Sequence, residues 1–162
     1  MQRRTLLTRG LIGATALALA GCGFRLRGLD DRGPVIDELA LAGPENELSN
    51  QLAERLRGAG TRIHDGAPRV LNLGNATLNE RRLSVLDAGA REVELVLSVP
   101  FSVQRRADGA FVVPQQTLEV SERLTLSDAN LLAQDELRAE AEATLRREAV
   151  RRLLERLRGL DP

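Results

Sequence analysis

Apolar and polar residues alternate most regularly in the middle of the chain. In residues 93–103 every second residue is apolar, namely Val93, Leu95, Leu97, Val99, Phe101 and Val103. A period of two predicts a strand with one face buried, which is typical of an antiparallel sheet. Asp108 and Gly109 then predict a hairpin turn, and the alternation returns in residues 112–126 as a partner strand.

Two earlier stretches are also predicted strands, residues 35–41 and residues 68–86. The second of these contains Gly74, where we expect a bend. Pro100 lies within the later alternation, although proline has no N–H to donate to a ladder and two hairpins would place its strand inside the sheet. The sequence therefore predicts a bulge or a missing partner at Pro100.

Helical spacing replaces the alternation in two places. Leu48, Leu52 and Leu56 recur every four residues, which predicts a short amphipathic helix that begins near Pro44 and ends by Gly60. The same spacing predicts a long C-terminal helix from a second set of apolar residues: Leu137, Ala141, Leu145, Ala149, Leu153 and Leu157.

These elements occur in the order β-α-β-β-β-α and fit a single domain over residues 35–160. The economical packing for this order is an α+β fold, in which two helices pack on one face of a four-stranded, mainly antiparallel sheet.

The N-terminus has the parts of a lipoprotein signal. Arginines precede a short apolar run over residues 11–20, and the run ends in Leu-Ala-Gly before Cys22. The run is about half as long as the roughly 20 apolar residues that a transmembrane helix needs. We therefore expect residues 1–21 to be a signal peptide, Cys22 to be triacylated by a diacylglyceryl group and palmitate, and residues 22–34 to form a lipidated tether. General and twin-arginine export both remain open.

Composition narrows the classes of partner. Removing residues 1–21 with their three arginines leaves 141 of the 162 residues and 20 arginines against 23 acidic residues, a net charge of −3. A mildly acidic chain has no overall nucleic-acid footprint. His64 is the single histidine, and lipid on Cys22 would use the single cysteine, so no metal-ligand spacing or nucleophile arrangement is present. We expect no enzyme activity, no cofactor and no metal.

The Cys-Gly-Phe-Arg-Leu-Arg motif that begins at Cys22 resembles the start of the mature chain in the LptE family of lipopolysaccharide-assembly lipoproteins. Members begin with Cys-Gly, an aromatic residue, a variable position and Leu-Arg. Weaker similarity continues through residues 43–60, residues 84–89 and residues 131–134. The resemblance covers the whole mature chain, and only the first motif is specific.

The resemblance implies a lipoprotein of the cell outer membrane, anchored by lipid at the periplasmic face. In such proteins the domain plugs the lumen of a large β-barrel partner, LptD, helps it fold, and helps to insert lipopolysaccharide at the cell surface. Gly23 after the cysteine fits outer-membrane sorting. Basic residues that the family uses for lipopolysaccharide fall on Asp87 and Gln134 here, so those two roles do not carry over. The competing interpretation is a periplasm-facing adaptor or binding lipoprotein of another envelope complex, with a lipoprotein hydrolase as a remote third.

The candidate lipopolysaccharide site is a group of three arginines around one predicted hairpin tip: Arg81, Arg82 and Arg91. A planar guanidinium can bind a phosphate in bidentate fashion. Asp87 and Glu92 lie among them, so a set of solvated loop charges is the alternative. Arg105 and Arg106 cannot belong to the same patch, because about 14 residues of straight strand separate them from Arg91 by some 46 Å.

Overall fold

The computed structural model describes residues 35–85, 90–127 and 131–160. The strands are β1 Glu38–Ala42, β2 Arg62–Ile63, β3 Arg69–Leu73, β4 Thr77–Val85, β5 Ala90–Arg105 and β6 Phe111–Ser127; the helices are α1 Glu47–Gly58 and α2 Leu131–Arg158. Cys22 and the predicted signal peptide and tether lie outside the described residues, as does Asp87 between β4 and β5.

The strands form one mixed sheet in the order β2-β1-β3-β5-β6, and β4 continues the position of β3 along the same edge of β5. β1 runs parallel to both β2 and β3. The helix α1 follows β1 and carries the chain back to the other end of the sheet, from which β2 and then β3 start in the same direction as β1. β5 is antiparallel to β3 over its last residues, to β4 over its first residues, and to β6 along nearly its whole length.

The predicted α+β class with two helices is confirmed, but the prediction of four strands is wrong. The structure describes six strands, and two of its five strand pairings are parallel. β2 was missed because two residues are too few to show a period. The first strand begins at Glu38, while Val35 and Ile36 are buried ahead of it.

The break between β3 and β4 explains both Gly74 and Pro100. No residues pair between Leu73, which faces Phe101, and Thr77, which faces Ser98. The Gly74 N–H donates to the Pro100 carbonyl at 2.8 Å, and the missing N–H of Pro100 falls where the ladder is already interrupted. A Cβ on Gly74 would lie 2.9 Å from the Pro100 Cβ, so a larger residue would force the strands apart. The predicted bend and missing partner are therefore one feature.

The core lies between the helices and one face of the sheet, which we call the inner face. That face carries the odd-numbered residues 93–103 of β5, and both helices contribute to the same buried cluster. In α1 the stripe of Leu48, Leu52 and Leu56 is buried, and Asn46 and Ser49 close the first turn by exchanging side-chain hydrogen bonds. In α2 the predicted stripe is buried from Ala141 onward, but Leu137 is 40% exposed.

Candidate functional site

The other face of the sheet, which we call the outer face, is not covered by any described helix or strand. It carries the even-numbered residues of β5 and the residues that face them from β4 and β6. Most of its exposed side chains are short and polar: Thr77, Asn79, Thr117, Ser121 and Thr125, with the charged residues Arg81, Glu119 and Arg123. The polar half of the strand alternation places them there, so this face follows directly from the sequence pattern.

Hydrogen bonds between neighbouring strands hold several outer-face side chains in place. Asn72 Nδ2 donates to Gln104 Oε1 at 3.1 Å and to Ser102 Oγ at 3.4 Å. Arg81 Nη2 donates to Glu94 Oε2 at 2.7 Å on the strand opposite. The outer face is therefore a polar surface with partly fixed side chains.

The three candidate arginines do not all share one face. Arg81 lies on the outer face against Glu94, and the next residue, Arg82, is opposite Val93 and hence on the inner side. Arg91 also belongs to the inner side, two residues along β5 from Val93. The structure thus brings Arg82 and Arg91 to one side of the hairpin and places Arg81 on the other.

Gln134 connects this hairpin to α2. Its side chain is 3% exposed, it accepts a hydrogen bond from Arg91 Nη2 at 3.0 Å, and its Nε2 donates to the Ser127 carbonyl at 2.7 Å. The position where the resemblance implied a basic residue therefore holds a buried amide that orients an arginine from β5. No sequence pattern signals this contact, because it joins residues 43 positions apart.

Exposed leucines lie at the same end of the sheet. Leu131 and Leu132 at the start of α2 are 70% and 72% exposed, and Leu83 of β4 is also exposed. Arg82 and Arg91 lie at the same end, so apolar and basic side chains occur there together.

The electrostatics of the described residues do not resemble a catalytic centre. A hydrogen bond from Arg62 is the main cause that lowers the pKa of Glu38, and hydrogen bonds from Arg151 and Arg152 lower the pKa of Glu148 to about 2. Such shifts mark ion pairs and not a carboxyl group held protonated for acid catalysis.

Within the described part of the chain no group of three or more potential ligands could hold a metal ion. Among the described helices, none combines the length and the apolar composition that crossing a bilayer requires.

Residues 35–157 match the LptE family model, which is described as lipopolysaccharide-assembly. The chain belongs to the LptE family. The family assigned from the Cys22 motif is therefore confirmed, by residues that do not include that motif. No curated protein matches this chain in sequence.

Solved structures share the fold. A minor lipoprotein from Acinetobacter baumannii is 19% identical with a TM-score of 0.64, and the match covers 76% of this chain and 91% of that one. Lipoprotein B from Nitrosomonas europaea is 20% identical with a TM-score of 0.64, over 82% and 88% of the two chains. The rare lipoprotein B from Shewanella oneidensis is 24% identical with a TM-score of 0.59, over 75% and 90%. At these identities the likeness establishes the fold alone.

Proposed function

We propose that this protein is an outer-membrane lipoprotein that assembles with the β-barrel LptD, plugs its lumen, and helps to insert lipopolysaccharide at the cell surface. Membership of a lipopolysaccharide-assembly family supports the general role. That family consists of lipoproteins without catalytic activity, so the protein acts by binding.

The uncovered outer face is the observation that supports the plug. Residues that line the lumen of an outer-membrane barrel are polar. A sheet with helices on one face and hydroxyl and amide groups on the other can exchange hydrogen bonds with such a wall. Short side chains such as Ser121 and Thr125 also let the sheet approach the wall closely.

Bulky side chains on the outer face test this docking. Ser121→Trp combined with Thr125→Trp should lower the recovery of the barrel with affinity-tagged protein by at least about tenfold, the equivalent of about 1.4 kcal/mol. The matched control is Glu140→Trp with Arg147→Trp on the exposed side of α2, which should leave recovery unchanged. Both proteins should keep the urea midpoint of the parent.

Three outcomes would count against the proposal. Equal recovery of the barrel by both double variants would remove the outer face as the docking surface. Loss only in the α2 variant would show docking through the helices. Recovery of peptidoglycan or an inner-membrane transporter in place of a barrel would favour the adaptor function.

The lipid anchor on Cys22 has its own test. Mass spectrometry of the mature N-terminus should show Cys22 as the first residue with the added mass of three acyl chains. Because the folded domain makes the contact, Cys22→Ala should impair membrane attachment and leave barrel docking largely intact. Recovery of an unmodified Cys22 form from wild-type membranes would contradict the anchor.

For lipopolysaccharide we propose contacts from Arg81, Arg82 and Arg91, with Arg82 and Arg91 acting together because they share the inner side of the hairpin. Arg82→Glu with Arg91→Glu should weaken binding of purified lipopolysaccharide more than Arg81→Glu does. Arg82→Glu alone keeps the test independent of the Arg91–Gln134 contact. Arg55→Glu with Arg147→Glu on the helices is the charge-matched control, and equal loss in this control would reject the hairpin site.

A further inference from the structure

The end of the sheet opposite the β4–β5 hairpin contains an open cleft of about 650 Å³. Three of its lining residues are arginines, each from a different strand: Arg62, Arg69 and Arg105. Asp37 and Glu38 line the same cleft. Glu38 forms an ion pair with Arg62, which leaves Arg69 and Arg105 with Asp37 as the other charged residues of the cleft.

Arg69 and Arg105 lie directly opposite each other in the pairing of β3 with β5. Like charges at facing positions are destabilising in a sheet. Arg105 forms an ion pair with Asp108 at 3.2 Å. Both partners have side chains that are at least half exposed, so the pair contributes little to stability. Arg69 forms no ion pair with another described residue. The facing arginines are thus a place where an external anion would relieve repulsion.

Exposed apolar side chains lie at the same end of the sheet as these arginines. Phe111, at the start of β6, is 56% exposed, and Val112, which lines the cleft, is exposed as well. They follow the exposed turn in which Gly109 has a φ of +69°. At a membrane interface apolar side chains enter the acyl boundary and guanidinium groups meet phosphates, so an end of the sheet that carries both kinds of side chain suits such a surface.

The chain also reaches the fold at this cleft, because Ile36 is one of its lining residues. Twelve residues lie between Cys22 and Val35, so thirteen residue-to-residue steps separate them. A flexible tether of that length has a typical span of about 20 Å, and it reaches at most about 45 Å when extended. A lipid on Cys22 would therefore keep the cleft within a short distance of the bilayer surface.

We propose that Arg62, Arg69, Arg105, Phe111 and Val112 form a membrane-docking surface that binds anionic phospholipid headgroups of the leaflet that holds the anchor. The proposal rests on the proposed lipidation of Cys22. Its consequence is an orientation: the cleft end stays at the membrane, and the end with Arg82 and Arg91 points away from it.

Site-specific fluorescence can measure this orientation, because lipid occupies the only native cysteine. An environment-sensitive fluorophore is placed on Ala107→Cys in the exposed β5–β6 turn, or on Glu136→Cys near the other end of β5, about 50 Å away along the strand. The lipidated full-length mature protein is reconstituted in vesicles of phosphatidylethanolamine and phosphatidylglycerol that contain a headgroup nitroxide. Quenching at residue 107 should exceed quenching at residue 136.

The charge dependence identifies the ligand. Each arginine near an anionic surface should raise the docked population about fivefold, so Arg69→Gln with Arg105→Gln should lower it about 25-fold and bring quenching at residue 107 down to the level at residue 136. Arg55→Gln with Arg147→Gln is the charge-matched control and should keep the difference. Replacing phosphatidylglycerol by phosphatidylcholine should reduce quenching in the parent protein.

Equal quenching at both labels, or quenching at residue 107 that survives the Arg69 and Arg105 changes, would overturn the proposal. Quenching that requires lipopolysaccharide in the vesicles would assign the surface to that ligand and overturn the phospholipid assignment. The mass of the N-terminus is measured first. Unmodified Cys22 would reject the lipoprotein itself, whereas lipidated protein without quenching rejects only the docking surface.

Discussion

The molecule has two very different solvent-facing sides. The exposed side of α2 carries long charged side chains that pair with one another: Arg151 with Glu148 and Glu155 at 2.5 Å each, and Arg152 with Glu148 at 2.8 Å. The outer face of the sheet carries mostly hydroxyl and amide groups on short side chains, with few ion pairs. Both sides are polar, but only the helix side satisfies most of its charges internally.

The difference bears on which side suits a partner. Burying the helix side would immobilise arginine and glutamate side chains, each of which loses up to about 1.5–2 kcal/mol of conformational free energy when fixed. Serine and threonine lose less, and the strands beneath them are already rigid. Binding to a polar wall would therefore cost less side-chain conformational entropy on the outer face than on the helix side, which is why we propose docking through the outer face.

The largest expected effect separates the two faces of one strand. Val99 of β5 is fully buried on the inner face, and Val96 is half-buried on the outer face. Val99→Ala should lower the free energy of unfolding by about 2–3 kcal/mol through lost apolar burial and the cavity left behind. Val96→Ala should cost less than about 1 kcal/mol. Urea unfolding measures the free energy of both variants. Equal losses of stability would show that Val96 is as deeply buried as Val99 and that the outer face is not open to solvent.

A smaller effect tests whether the outer face contributes stability of its own. Asn72→Ala removes the hydrogen bonds to Gln104 and Ser102, of which Ser102 is buried, and should cost about 0.5–1.5 kcal/mol. Asn79→Ala, at an exposed position of the same face, should stay within about 0.5 kcal/mol of the parent. If Asn79→Ala lowers the free energy of unfolding more than Asn72→Ala does, then the hydrogen bonds of Asn72 do not stabilise the outer face.

Much of this fold could be predicted from the sequence because its strands and helices have one buried side. The stripe in α1, the β5–β6 hairpin at Gly109 and the irregularity at Pro100 all follow from local rules of periodicity and backbone chemistry. β2 and the parallel pairing of β1 depend on where the chain returns after α1, and a short segment carries no local signal for that.

The candidate site was harder to predict for a physical reason. Adjacent residues in a strand point to opposite faces, so the neighbours Arg81 and Arg82 were never going to share one patch, although their strand was predicted. The Arg91–Gln134 contact joins β5 to the start of α2 and needs the packing of the whole domain. Likewise the facing pair Arg69 and Arg105 depends on the register between β3 and β5, which the sequence does not specify.

The smallest effect concerns the ion pairs of the helix side. Glu148 has a pKa of about 2 in the folded protein, against 4.5 for an ordinary glutamate, chiefly because Arg151 donates hydrogen bonds to it. The folded state thus favours the ionised form, and the resulting stability is present above pH 4.5 and is lost as the pH falls from about 4.5 to about 2. Since the pair lies at the surface, Glu148→Gln should cost less than about 1 kcal/mol at pH 7. The difference in urea midpoint between parent and variant should shrink over that acidic range, and Arg151→Gln should reproduce the trend. A difference that stays constant down to pH 2 would mean that packing, and not charge, holds Glu148 in place, and would weaken the contrast between the two sides.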